Sequence, residues 1–171
     1  MVARVKAGDQ RAFEQIVHQY KPMMARVIVG MLGNQNDADD VGQEAFIRFY
    51  RSADQYKGDA ALGTYLTRIA INLSLNALKK RKLRSWVSLE EKHDNLQSGA
   101  DPAQRSDDKE LVRKALEQLD PKYRAVVVLR LMQGYSAKEA AKILKLPLGT
   151  VLSRLARAQE KLKPIIEQLE A

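Results

Sequence analysis

The sequence predicts an all-α protein built as two small helical units on either side of an extended connector. Apolar residues recur at three- and four-residue spacing through residues 12–82 and again through 108–169, which is the pattern of amphipathic helices. No alternating run makes a convincing strand, because Val126-Val127-Val128-Leu129 sits inside a helical pattern that continues to Leu131. Charge divides at the same places. Residues 1–84 hold 14 basic and 8 acidic side chains, 85–106 hold 2 and 4, and 107–171 hold 13 and 9. Two basic blocks therefore flank a mildly acidic connector, and the basic excess is not a single tail.

The first helix is expected from about Ala12 to Leu32, with Phe13, Ile16, Val17, Tyr20, Met24, Val27, Ile28 and Met31 on its apolar side and with Pro22 kinking or dividing it. Gly33-Asn34-Gln35-Asn36-Asp37 reads as a turn, and a second helix follows from about Ala38 to Ala53. Asp37, Asp39 and Asp40 suit its positive N-terminal end. The spacing of Phe46, Phe49 and Tyr50 assigns all three to the core. Lys57-Gly58-Asp59 breaks the pattern, and Leu62, Leu66, Ile69, Ala70, Leu73, Ala77 and Leu78 mark a third helix ending in Lys79-Lys80-Arg81-Lys82. These three helices make a first domain over 1–84. Ser, Asp, Gln, Gly99 and Pro102 then accumulate over 85–106, the composition of a linker, in which Trp86, Val87 and Leu89 remain candidates for docking.

Four shorter helices are expected over 107–171: about Asp108–Leu119, Lys122–Met132, Ala137–Leu144 and Leu148–Leu169, the last bending or ending near Pro164. Ser136-Ala137-Lys138-Glu139 is a capping box that sets the start of the third of them. Lys145-Leu146-Pro147 turns the chain into the fourth, so the pair is laid out as a helix-turn-helix. Val151, Leu155, Ala158 and Leu162 share one face of the last helix, whereas Leu152, Ser153, Ala156 and Arg157 project from the other. That second face is the candidate reading head. Arg157 suits a bidentate contact to guanine, Ser153 a base or phosphate, Arg154 and Lys161 flanking phosphates, and Thr150 a phosphate at the helix start.

Composition narrows the function classes. The 171 residues carry a formal charge of +8, which favours a polyanionic partner, either nucleic acid or an anionic membrane surface. There is no Cys, which excludes disulfides and thiolate chemistry and is permissive for the cytoplasm. Arg4, Lys6, Asp9 and Arg11 leave no signal-peptide core at the start, and Met23–Leu32, interrupted by Arg26, is far short of the roughly 20 apolar residues a span needs. A soluble cytoplasmic protein without membrane insertion is expected. No Gly-rich phosphate loop is present, and His18 and His93 lack spaced ligand partners, so no catalytic residue, metal or cofactor is expected and the chain reads as a binding protein, not an enzyme.

Gly8-Asp9-Gln10-Arg11-Ala12-Phe13, Asp37-Ala38-Asp39-Asp40-Val41-Gly42-Gln43-Glu44-Ala45-Phe46 and Arg68-Ile69-Ala70-Ile71-Asn72 resemble region 2 of the extracytoplasmic-function (ECF, group IV) RNA polymerase sigma factors of the sigma-70 family. Gly134-Tyr135-Ser136-Ala137-Lys138-Glu139-Ala140-Ala141 and Gly149-Thr150-Val151-Leu152-Ser153-Arg154-Leu155-Ala156-Arg157-Ala158 resemble that family's region 4. The pair, in this order and spacing, is more specific than either part. The resemblance implies a specificity subunit of bacterial RNA polymerase core, contacting its clamp helices and flap, with the first domain opening the promoter's minus-ten element and the second binding the minus-thirty-five element as duplex.

Carried over by position, Asp39, Asp40, Gln43 and Glu44 match the polymerase-binding helix, where an exposed acidic stripe suits a basic partner face. Tyr56, Lys57, Tyr65, Arg68, Asn72, Asn76 and Lys79 offer a minus-ten surface by their chemistry, and the resemblance implies that the Gly58 to Gly63 loop holds a base flipped from the non-template strand. Single-strand capture there needs π faces and cations along the phosphates, and the two Asn, four apart, share a helix face. Thr150, Ser153, Arg154, Arg157 and Lys161 are the minus-thirty-five candidates. The resemblance also implies an anti-sigma protein that covers the polymerase-binding faces. Tyr65 stands where the family often has Trp, Leu62 where Phe is frequent, Gly42 where a larger apolar residue is usual, and Leu152 and Gln159 where basic residues are common. The rival readings are a polymerase-independent repressor or activator and a membrane-surface protein. The first leaves the acidic stripe unexplained and the second has few free aromatics to insert.

Overall fold

The computed structural model describes residues 1–91 and 107–171, so the greater part of the expected linker, with His93, lies outside the described residues, as do the side chains of Val87 and Leu89. The N-terminal elements are α1 (Val2–Lys6), α2 (Gln10–Leu32), α3 (Gln35–Arg51), a 3-10 turn over Ala53–Gln55 and α4 (Leu62–Glu91). The C-terminal elements are α5 (Asp107–Gln118), α6 (Pro121–Val127) running into a π turn over Val128–Met132, α7 (Ala137–Leu144) and α8 (Leu148–Glu170).

Local chemistry sets the starts of four helices. The Asp9 carboxylate accepts from the Ala12 amide at 3.1 Å and pairs with Arg4, and these contacts, the Ala12 amide foremost, hold its carboxyl below the usual range. Asn34 accepts from the Asp37 amide at 2.9 Å at the head of α3. Pro121 opens α6, where a missing N–H loses nothing. The capping box on α7 is complete: Ser136 Oγ accepts from the Glu139 amide at 3.2 Å and the Glu139 carboxylate accepts from the Ser136 amide at 2.7 Å.

Three expectations about helix lengths are corrected. α2 runs unbroken through Pro22; both Pro22 and His18, whose carbonyl loses its partner there, lie on the exposed side, so water can satisfy the freed group. α8 likewise continues past Pro164. α4 continues beyond Lys82 to Glu91, because no Gly or Pro stands between Gly63 and Gly99 to end it. The second C-terminal helix changes to π geometry at Val128, where the Gln133 amide donates to the Val128 carbonyl at 3.0 Å.

α2, α3 and α4 pack around Ile16, Met24, Ile28, Phe49 and Leu66, and this core is continuous with Val126, Val128, Leu129, Ala140, Ile143 and Val151 from the C-terminal helices. The two units thus share apolar contacts, and a smaller cluster of Leu116, Leu119, Tyr123, Val127 and Ala158 holds α5, α6 and α8 together. Phe46 and Phe49 are buried as expected, but Tyr50 is 42% exposed and lies edge-on to Phe13, with ring centroids 4.9 Å apart. Its position drifts off the apolar stripe because 3.6 residues per turn carries it toward solvent.

The junction is closest at the end of α2. A Cβ on Gly30 would lie 3.1 Å from a Val128 methyl, so only a very small residue lets α2 approach the π turn. Gly33 ends α2 in the left-handed region at φ 79°, and a Cβ there would meet the Glu117 carboxylate at 2.1 Å. Arg124, 5% exposed, donates to the carbonyls of Met31 at 2.6 Å, Glu117 at 2.8 Å and Leu119 at 3.1 Å. Burial pulls its guanidinium below the ordinary arginine range. Arg81 of α4 donates to the neighbouring Leu32 carbonyl at 3.1 Å and pairs with Asp37.

Replacing Arg124 by Ala leaves three buried carbonyls short of a donor, and should lower urea unfolding stability by about 2–4 kcal/mol. Arg124→Lys should recover little, since an ammonium lacks the planar fork that reaches three acceptors. A loss below about 0.5 kcal/mol for both variants would remove this contact from the account.

Candidate nucleic-acid interface

α3 presents Asp39, Asp40, Gln43 and Glu44 to solvent, all four on the side opposite the buried Ala38, Ala45 and Phe49. Asp37 is drawn away from this group by its pairing with Arg81. One turn beyond Gln43 the same stripe carries Ile47, 44% exposed. Sequence reasoning passed over Ile47, yet its offset from the buried positions was the available signal: an apolar side chain on the acidic face. Acidic groups around an exposed aliphatic residue form a surface suited to a basic protein face with an apolar centre.

The candidates for strand opening fall into two groups. Asn72, Asn76 and Lys79 line up on the exposed face of α4, and Lys57 is exposed in the preceding loop. Tyr56 and Tyr65 are brought together, ring centroids 5.1 Å apart, but both are half-buried. The Tyr56 hydroxyl donates to the Ala60 carbonyl at 2.6 Å, closing the loop, and Tyr65 lies against the edge of Phe49 and within 3.3 Å of the Ser52 hydroxyl. Their packing shapes the loop at least as much as it offers a base a surface.

Arg68 differs from both groups. Its Nη2 donates to the Lys142 carbonyl of α7 at 2.7 Å, and its Nε is buried without a partner. Beside it the hydroxyls of Thr67 and Tyr135 share a 2.8 Å hydrogen bond, and the Tyr135 hydroxyl lies 3.8 Å from the Met23 sulfur. The first helix of the helix-turn-helix therefore docks on α4 through polar contacts that join residues far apart in the chain.

In the helix-turn-helix itself, Lys145 adopts the left-handed conformation, φ 52°, and the Leu146 amide donates to Ala141, which folds α8 back across α7. Ser153 and Arg157 are exposed on α8, Thr150 and Arg154 are half-buried, and the Ser153 hydroxyl donates to the Thr150 carbonyl at 3.1 Å, leaving its lone pairs outward. Lys161 lies 5.8 Å from the centre of the Tyr123 ring, a cation–π contact at the helix flank. Glu139, accepting from Ser136, is held below the usual carboxylate range. Among the described residues no group of three or more His, Cys, Asp or Glu could hold a metal ion, and no helix is long and apolar enough to cross a membrane.

Comparison with known proteins accounts for this layout. Residues 16–84 match the family model for Sigma-70 region 2, and residues 109–162 match that for Sigma-70, region 4. The chain is 35% identical over 184 residues to the ECF RNA polymerase sigma-E factor of Escherichia coli strain K12, covering 98% of this chain and 95% of the relative. It is 33% identical over 179 residues to the ECF RNA polymerase sigma factor SigW of Bacillus subtilis, covering 98% and 96%. A solved structure of CnrH in complex with the cytosolic domain of CnrY is similar at 26% identity and a TM-score of 0.71, covering 98% of this chain and 95% of that one. At 21% identity, the sigma factor RpoE of Bartonella quintana, solved with the anti-sigma factor NepR, shares the fold, with a TM-score of 0.73 and coverage of 92% and 98%.

The docking of α7 can be tested with Arg68→Ala and Tyr135→Phe in one chain. Losing the two hydrogen bonds that join α7 and the turn before it to α4 should speed amide exchange across α7 by roughly tenfold or more, while the amides of α2 and α3 keep their protection. Unchanged exchange in α7 would mean that the apolar contacts alone hold it.

Proposed function

This chain belongs to the sigma-70 family as an ECF sigma factor that directs RNA polymerase to promoters, and we propose how its residues divide that work. The α3 stripe of Asp39, Asp40, Gln43, Glu44 and Ile47 docks on the clamp helices of core polymerase. Acidic groups on a chain of net charge +8 orient the encounter with a basic face, and Ile47 supplies the desolvated centre. Asn72, Asn76 and Lys79, with Lys57 and Arg68, hold the opened minus-ten strand, the amides bonding base edges and the cations tracking phosphates. Tyr56 and Tyr65 shape the loop that receives an unstacked base. The minus-thirty-five element lies as duplex against α8, where Ser153 and Arg157 face base edges and Thr150, Arg154 and Lys161 the phosphates. The C-terminal unit also contacts the polymerase flap.

The observation that carries most of this reading is the exposed acidic stripe around Ile47 on an otherwise basic chain, and the contact between α4 and α7 is what most constrains it. Elements named minus-ten and minus-thirty-five are about 25 base pairs apart, roughly 85 Å along B-form DNA at 3.4 Å per base pair. A chain whose strand-opening helix bonds directly to its helix-turn-helix through Arg68 and Thr67 does not reach both. Residues 92–106, fully extended, span up to about 50 Å at 3.3–3.6 Å per residue, which together with the widths of the two units covers the distance. Promoter binding therefore exchanges the α4–α7 contacts for DNA, and Arg68 passes from the Lys142 carbonyl to phosphate.

The chain performs no bond chemistry of its own in this reading; it positions polymerase, and it works in the cytoplasm where polymerase and DNA are. The two similar structures contain CnrY and the anti-sigma factor NepR as partners, which supports an anti-sigma protein as a second partner here, covering the α3 stripe.

Transcription of a genomic-fragment library by bacterial core polymerase, with and without this chain, should give new start sites sharing two upstream elements. Ile47→Glu should weaken core binding by tenfold or more and abolish those starts, while duplex binding by α8 is retained. Duplex binding without any association with core would favour a polymerase-independent repressor or activator.

A further inference from the structure

The outward face of α8 is divided into two halves. One carries Ser153, Arg157 and Arg154; the other carries Leu148, 39% exposed, Leu152, 49% exposed, and Ala156. Single exposed leucines are ordinary on protein surfaces. Here two stand four residues apart on adjacent turns, extended by Ala156 one turn further and bordered by Gly149, which has no side chain to obstruct an approaching surface. None of these residues is buried in the core, to which this helix gives Val151 and Ala158. The segment from Ala140 to Gln159 contains no Asp or Glu and carries Lys142, Lys145, Arg154 and Arg157, so the apolar strip is framed by cations only.

An apolar strip inside a cationic frame suits a polyanion that presents methyl groups, and in the major groove that group is the C5 methyl of thymine. We infer that Leu152, with Leu148 beside it, reads one or two thymine methyls of the upstream element by apolar contact, so that base selection at those positions rests on the methyl and not on a hydrogen-bonding side chain. The inference rests on the reading that α8 enters the groove of that element. Leu148 and Leu152 are separated by about 6 Å along the helix at 1.5 Å per residue, within the reach of neighbouring base steps at 3.4 Å. Ser153 and Arg157, on the adjoining half, then read or anchor the bases next to them.

The test uses holoenzyme assembled from the full chain and core polymerase, with duplexes of the upstream element in which each thymine is replaced singly by deoxyuridine, which removes only the methyl. At one or two adjacent positions the replacement should weaken binding about fourfold, the factor that burial of one such group contributes. Leu152→Ala should bind the thymine duplex about as weakly and be insensitive to deoxyuridine at the same position. Placing 5-methylcytosine elsewhere in the element should change nothing, whereas replacing the read thymine's pair by one carrying 5-methylcytosine should retain part of the affinity, since the methyl is the recognised group. Three results would overturn the inference: no thymine whose methyl matters, equal weakening of thymine and deoxyuridine duplexes by Leu152→Ala, or a loss of core binding by Leu152→Ala with no DNA present, which would make the strip a protein-docking surface. Failure of the holoenzyme to bind any upstream duplex would instead remove the reading of α8 on which this rests.

Discussion

The C-terminal end of α2 governs how the molecule is put together. A helix leaves its last carbonyls without partners, and here those of Met31 and Leu32 point into the junction between the two helical units, where water is scarce. The Arg124 guanidinium from α6 and the Arg81 guanidinium from α4 supply the donors. Arg124 also holds Glu117 and Leu119 at the end of α5, so a single buried cation ties the last turn of one unit to the α5–α6 corner of the other. Burying a cation is unfavourable unless its donors are used, and three carbonyls meet the two terminal nitrogens while Nε is buried without a partner. Gly30 then matters because a Cβ there would press on Val128, and Gly33 because its positive φ strains any other residue.

The rest of the junction is made of weaker parts, and that has functional consequences. The Thr67–Tyr135 and Arg68–Lys142 hydrogen bonds lie on α4, on the helix whose exposed face carries Asn72, Asn76 and Lys79. Neutral and singly charged hydrogen bonds contribute on the order of 1–3 kcal/mol each, an amount that phosphate and base contacts can replace. In the proposed exchange the Arg124–Met31 bond and the shared apolar contacts must part as well, so core polymerase and DNA together have to supply the free energy. The outward face of α8, with Leu152, Ser153, Ala156 and Arg157, stays open to solvent in the same arrangement, so under the proposed reading duplex recognition does not require release of α4.

Much of this was legible in the sequence because it is local. Helical period found α2, α3, α5, α7 and α8, the Ser136–Glu139 pair marked the start of α7, and family motifs pointed to both regions. What escaped has a common cause. Arg124 and Arg81 read as ordinary basic residues on helices, since their partners are carbonyls distant in the chain; Tyr135 and Thr67 meet across 68 positions, which no spacing rule reports. Proline was weighed as a helix breaker at Pro22 and Pro164, whereas solvent on the outer face lets both helices continue. Ile47 and Tyr50 were hidden by the strength of the apolar stripe beside them. Arg68, Tyr56 and Tyr65 were grouped by their chemistry around one loop, and their contacts show that each also has a structural part.

The central claim is that the α4–α7 contact present in the free chain is exchanged for promoter DNA when polymerase binds. Because the chain has no cysteine, one can be placed at the exposed Gln19 of α2 and one at the exposed Glu167 of α8 for a donor and acceptor dye without background labelling. Energy transfer should report a single short separation in the free chain and a separation longer by several tens of ångström in the holoenzyme on promoter DNA, as the roughly 85 Å between elements requires. An unchanged separation in a transcribing complex would contradict the account.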